Sequence, residues 1–198
     1  MLYYSINNRE KAMNDALKKA AWIAWGNDVT KQMEEFIQTW DLKSARSFQM
    51  GQVKFDWSAR RTRSRGGLYK IDGIWQPGIS IAMTHYTRSQ DNIYRWYEYK
   101  SFDENPVIGG FYSDNLADRV RAVIAHEMAH AIQHWHQWSC KLPKTKPHGD
   151  EFKYYYQVLR EEFVNGKLPD QTKMGAEYRK LRNVAITQEL GPFRRAAC

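Results

Sequence analysis

Apolar residues recur at helical spacing towards both ends of this chain and at alternating spacing in between. From about Asn8 to Trp25, Ala16, Leu17, Ala20, Ile23 and Ala24 form one stripe, and Gly26 reads as its stop. Val29, Met33, Phe36, Ile37 and Trp40 form a second stripe after Asp28, so the pattern predicts two helices. The period then changes to two. Val53, Phe55 and Trp57 alternate with Lys54 and Asp56, a short strand runs from Leu68 to Ile71 after Gly66-Gly67, and Ile79, Ile81 and Met83 alternate with Ser80, Ala82 and Thr84. Asp72-Gly73 and Pro77-Gly78 punctuate these strands. Within residues 86 to 112, Ile93 to Tyr99 reads as a strand and Gly109-Gly110 as a loop. Leu116, Val120, Val123, Ile124, Ala131 and Ile132 then predict one long, buried helix from about 114 to 138, with Ser113 and Asp114 as N-cap types. Phe152, Tyr155, Tyr156, Leu159 and Phe163 predict a last helix, closed by Gly166 and Pro169. The expected fold is α+β, a small antiparallel sheet packed against helices.

The long helix carries His126-Glu127-Met128-Ala129-His130. Positions i and i+4 lie on one helix face, so both imidazoles can reach one ion, with Glu127 beside them to hold a water. Buried imidazoles and a carboxylate are costly without a metal or hydrogen-bond partners. The competing reading, a pair of satisfied core histidines beside a solvated glutamate, loses ground because a third ligand is available. His134 stands two turns beyond His126, about 12 Å along the axis, too far to share an ion. His136 has the spacing of the third ligand in the metzincin pattern, but that pattern needs a glycine where this chain has Gln133. His148 follows a proline-marked chain reversal, Pro143 to Pro147, and opens the next helix, so it ranks first. Three histidines on Zn²⁺ leave one position open, the mark of a catalytic rather than a structural site. In that reading Glu127 is the general base; Tyr154, Tyr155, Tyr156 and Arg119 are candidates to stabilise the oxyanion, and an exposed strand edge at Ile79 to Met83 is a candidate to take up extended substrate.

Composition narrows the setting. The chain has 198 residues, 42% of them hydrophobic, with eight tryptophans, enough for one domain with a substantial core. Met1 to Asn8 has no basic region followed by an apolar stretch, and no apolar run is long enough to span a membrane, so a soluble intracellular protein, cytoplasmic or in the nucleoid or nucleus, is expected. Cys140 and Cys198 make neither a disulfide framework nor a zinc ribbon. A net charge of +8 and a pI near 9.4 favour polyanionic partners, nucleic acid above all. Arg60, Arg61, Arg63 and Arg65 are candidate nucleic-acid contacts; Tyr86 to Lys100 interleaves cations with rings, and Lys173, Arg179, Lys180, Arg182, Arg194 and Arg195 make the C-terminal segment basic. The competing reading of the arginines is a solvated loop, and of the rings a core strand.

The order Lys54-Phe55-Asp56-Trp57-Ser58, Arg61-Thr62-Arg63, Gly66-Gly67, the strand Ile79 to Met83, His126-Glu127-Met128-Ala129-His130 and Pro147-His148-Gly149-Asp150-Glu151-Phe152 resembles the SprT-like, or Spartan-type, metalloprotease domain. The resemblance covers roughly residues 28 to 165. It divides the chain into an N-terminal helix (1–27), a metalloprotease domain (28–165, with 86–112 as an insertion) and a basic C-terminal segment (166–198). It implies a zinc protease with His126, His130 and His148 as ligands and Glu127 as base, acting on proteins associated with DNA, including covalent DNA-protein crosslinks. Two departures bear on the substrate: the four-cysteine ribbon of many bacterial relatives is absent, and the 86–112 stretch is extra. The alternative from a different class is a non-catalytic DNA- or partner-binding protein with a structural zinc site.

Overall fold

The computed structural model describes residues 2–60, 63–85, 94–96, 105, 107–113 and 115–167. Arg61, most of the aromatic and basic stretch from Tyr86 to Lys100, and the basic C-terminal segment lie outside the described residues.

The first two expected helices are a single one. Helix α1 runs unbroken from Leu2 to Gln38, with Gly26 inside it. A Cβ at Gly26 would collide with the ring of Phe55, which is buried on strand β1 (Gln52–Asp56). Glycine is needed here for the close approach of helix and strand. Val29, Met33 and Ile37, from the second predicted stripe, enter the core.

Strand β2 (Arg65–Ile71) and strand β3 (Ile74–Ala82) form an antiparallel hairpin in which Ile71 faces Ile74. Its two turn residues, Asp72 and Gly73, have φ of 49° and 85°. Positive φ at both positions is the geometry whose twist matches the flanking strands, and Asp-Gly is among the residue pairs that adopt it readily. β1 lies on the other side of β3 and runs parallel to it, with Val53 opposite Ile79 and Phe55 opposite Ile81. The sheet order is therefore β1-β3-β2. The α+β class holds, but the sheet is mixed rather than wholly antiparallel. Ile79 to Ala82, expected at an exposed edge, belongs to the middle strand and is buried throughout, so it cannot pair with a substrate.

A second, two-stranded sheet pairs β4 (Tyr94–Trp96) with β5 (Phe111–Ser113), the latter leading directly into α2 (Leu116–Ser139). The cap of α2 is Asn115, one or two residues beyond the expected Ser113 or Asp114; its side chain accepts from the Ala117 N–H at 2.9 Å. Ser113 instead donates its hydroxyl to Asp118 at 2.8 Å. α2 packs against β2, β3, α1 and helix α3 (Asp150–Phe163), and Val120, Val123, Ile124, Met128 and Ile132 along it are fully buried. Among the described residues, no helix is long and apolar enough to cross a membrane.

Candidate metal centre

His126 and His130 stand one turn apart on α2 with ring centroids 5.0 Å apart. His148 reaches them from the turn before α3, and the potential ligand atoms of the three all lie within 4.8 Å of one another. The Nε2 atoms of His130 and His148 are only 3.0 Å apart. Two ring nitrogens at that distance repel unless a proton or a cation lies between them, which suits a metal donor set. The ring of Phe152 covers all three imidazoles, at 4.9, 4.3 and 4.9 Å from His126, His130 and His148. Burial, and after it the neighbouring His126 and His148, push the His130 pKa down to about 3. Its imidazole is therefore neutral at ordinary pH, the protonation state that binds a metal.

Glu127 is buried beside His126. β2 crosses α2 directly above it, because a Cβ on Gly66 would collide with the Glu127 backbone carbonyl. No side chain fits between strand and helix there, which accounts for the glycine. The next residue, Gly67, faces His134, whose ring is exposed and 6.4 Å from that of His130. His134 is not in the three-histidine group. Neither is His136, whose Nδ1 lies 2.6 Å from the Ser44 hydroxyl.

His148 is delivered by a well-defined turn. At the end of α2, Leu142 N–H donates to Gln137 C=O at 2.8 Å and Lys141 N–H to Trp138 C=O at 3.3 Å, with Lys141 at φ 54°. This pair of bonds is a Schellman ending, which turns the chain sharply out of the helix. The returning segment is then held to α2 by side chains. Thr145 Oγ1 accepts from Gln133 Nε2 and Gln137 Nε2, each at 2.8 Å, and donates to Glu151 Oε2 at 2.9 Å. Gln133 also donates to Lys146 C=O at 3.2 Å, and Gln137 to Glu151 Oε2 at 2.7 Å. Sequence reasoning missed this clasp. Its signal was present: Gln133 and Gln137 are buried polar residues four apart, close on the helix to His130.

The oxyanion candidates separate. Tyr154 is 61% exposed and projects away from the core. Tyr155 is buried, bonds Glu151, and has its pKa raised by burial and then by that carboxylate. Arg119, half-buried, lies two turns of α2 before His126, about 10 Å along the axis. Tyr156 alone sits against the centre, its ring 5.1 Å from His126 and its hydroxyl accepting from Arg160 Nη1 at 3.0 Å. Arg160 is buried and also donates to Asn165 Oδ1 at 3.0 Å and Gly109 C=O at 3.4 Å, tying α3 to the segment that leads into α2. Of the four candidate nucleic-acid residues, Arg60, Arg63 and Arg65 are exposed and lead into Gly66 at the start of β2; Arg61 is outside the described residues.

The model of one protein family, described as the SprT-like family, matches residues 33–174. No curated protein and no solved structure matches.

Proposed function

This chain belongs to the SprT-like family, and on that premise we propose that it is a zinc metalloprotease whose one Zn²⁺ is held by His126, His130 and His148. The observation that carries the reading is the convergence of three imidazoles on one point, with a buried glutamate adjacent in the helix. Zn²⁺ bound there supplies Lewis acidity to the attacking water and to the scissile carbonyl. Glu127 is the general base: it takes the proton of the attacking water and passes it to the departing amine. Phe152 keeps one side of the three imidazoles dry. Tyr156, held by Arg160 with its ring against His126, is the best placed of the four candidates to steady developing charge. β2 is the edge strand beside Glu127, so its outer edge, rather than β3, is where extended substrate adds.

The substrates in this reading are DNA-associated proteins inside the cell. The net charge of +8 and the exposed Arg60, Arg63 and Arg65 support phosphate contacts close to the catalytic helix, and Arg61 adds a fourth arginine to that run of the sequence. The same charge favours the second reading, a DNA- or partner-binding protein with a structural zinc.

One comparison tests both. Zinc content is measured for the parent and for Glu127→Gln, and cleavage of a DNA-bound basic protein is followed with and without DNA. Equal zinc in both forms, with cleavage reduced about 10²- to 10⁴-fold in Glu127→Gln, is expected. Cleavage by neither form across several DNA structures leaves the binding protein.

A further inference from the structure

A cavity of about 750 Å³ opens beside the three-histidine centre, walled by Leu68, Trp75, His134, Trp138, Leu142 and Pro147. That volume lies within the range of pockets that hold small organic groups, about 300–1,000 Å³. Its walls are unusual. Trp75, Trp138 and Leu142 are 45%, 48% and 45% exposed, so three large apolar side chains left open to water converge on one hollow. Exposed apolar surface gathered in this way marks a binding site. Among the described residues, the lysine and carboxylate side chains lining it are Lys141 and Lys144 alone.

We propose that this cavity receives a large apolar side chain, aromatic or leucine-like, of the protein substrate, and that an acidic residue beside it in the substrate pairs with Lys141 or Lys144. The inference rests on the metalloprotease reading and adds a sequence preference to it. Position supports it. Along β2, Gly66 touches Glu127, Gly67 faces His134 and Leu68 lines the cavity, so one strand leads from the catalytic helix to the hollow. The His134 ring in the cavity wall is 6.4 Å from His130, about two residues of extended chain at 3.3 Å each. A substrate lying on the β2 edge thus presents a side chain to the cavity about two positions from the bond being cut.

The rings and lysines raise the possibility of an unpaired nucleobase instead, since bases stack on exposed aromatics. The walls favour a side chain. Leu68, Leu142 and Pro147 offer no aromatic face, and Trp138 already packs on Trp135 with centroids 5.1 Å apart.

Three synthetic peptides test the proposal: two identical except that one carries Phe and the other Ala next to a Glu, and a third with Phe next to Gln. Binding to zinc-loaded Glu127→Gln protein is read by calorimetry, and cleavage by the parent as kcat/KM. Burial of a large apolar side chain predicts that the Phe peptide is favoured about 10- to 100-fold in both. Trp138→Ala and Leu142→Ala, at exposed positions, should each reduce that advantage several-fold, and Leu142→Trp should fill the hollow and abolish it. Lys144→Glu should weaken binding of the Glu-containing Phe peptide but not of its Gln counterpart. Equal binding of the Phe and Ala peptides, or an advantage that survives both alanine variants, overturns the proposal. So does displacement of the Phe peptide by an oligothymidylate in the parent but not in Trp138→Ala, which would make the hollow a base-stacking site. Binding that prefers Phe, with cleavage of none of the peptides, supports the cavity and counts against the protease reading alone.

Discussion

Replacing Thr145 by valine keeps the shape of the side chain and removes one hydroxyl, and the structure says how much that hydroxyl holds. It accepts two hydrogen bonds and donates one, its full capacity. A typical intramolecular hydrogen bond contributes about 0.5–1.5 kcal/mol net. Here each partner keeps a second bond, Gln133 to Lys146 C=O and Gln137 to Glu151, and Thr145 is exposed, so the low end applies. Three bonds at about 0.5–0.7 kcal/mol each come to about 1.5–2 kcal/mol. That energy belongs to the conformation that presents His148, so its loss is expected mainly in metal affinity. At about 1.4 kcal/mol per factor of ten, Thr145→Val should bind Zn²⁺ about 10- to 30-fold more weakly, the size of effect expected of groups that orient metal ligands. Competition against a chromophoric chelator at fixed pH measures this, with Thr145→Ser as the control that keeps the hydroxyl. An affinity for Thr145→Val within about twofold of the parent, or a Ser variant as weak as the Val one, would refute the argument.

Three further outcomes follow from the same geometry. The His130 pKa is about 3 in the folded chain against about 6.5 for an unperturbed imidazole, so below pH 6.5 the unfolded state takes up a proton that the folded state refuses; the metal-free fold should lose stability as pH falls from about 6.5 towards 3, at up to about 1.4 kcal/mol per unit, and urea titrations in which His130→Gln does not flatten that slope would contradict it. Gly66→Ala drives a methyl group into the backbone carbonyl of Glu127, which cannot swing aside as a side chain could, so a loss of about 3 kcal/mol or more is expected in thermal unfolding, and a midpoint within about 2 °C of the parent would show that strand and helix can part. Lys141→Gly removes a side chain from a left-handed position and should raise stability by up to about 1 kcal/mol in urea, with no gain meaning that the Lys141 conformation is not strained.

What could be read from the sequence divides according to how far apart the deciding residues lie. The i, i+4 spacing of His126 and His130 is fixed within one helical turn, and the prolines and glycine around His148 mark a reversal within ten residues, so the convergence of these three side chains was legible. So was the Asp72-Gly73 hairpin, because the two positive φ angles select those residues locally. Gly26 was misread for the opposite reason. Glycine weakens a helix by about 1 kcal/mol, which suggested a stop, but the group that needs the missing Cβ is Phe55, nearly thirty positions away. The pairing sense of β1 was hidden in the same way: alternation of buried and exposed residues is identical in parallel and antiparallel strands, and the choice is made by where the hairpin leaves an open edge.

The clasp and the glycine at position 66 belong to this second kind, and both act on α2. Two of the three histidines and the glutamate are on that one helix, so their mutual spacing is set by helix geometry and needs no long-range help. The remaining requirements, that β2 lie close above Glu127 and that His148 return to His130, are met by contacts made from outside the helix, through Gly66 on one element and Thr145 on another. A histidine pair on a helix is thus only a potential site. What distinguishes this chain from one with the same five-residue motif by accident is that polar side chains four apart on the same helix, Gln133 and Gln137, are buried and spent on the segment that carries the third histidine. Burying amide N–H groups is costly unless their hydrogen bonds are made, so the bonds that both NH2 groups make to the returning segment are best explained by the position they impose on His148.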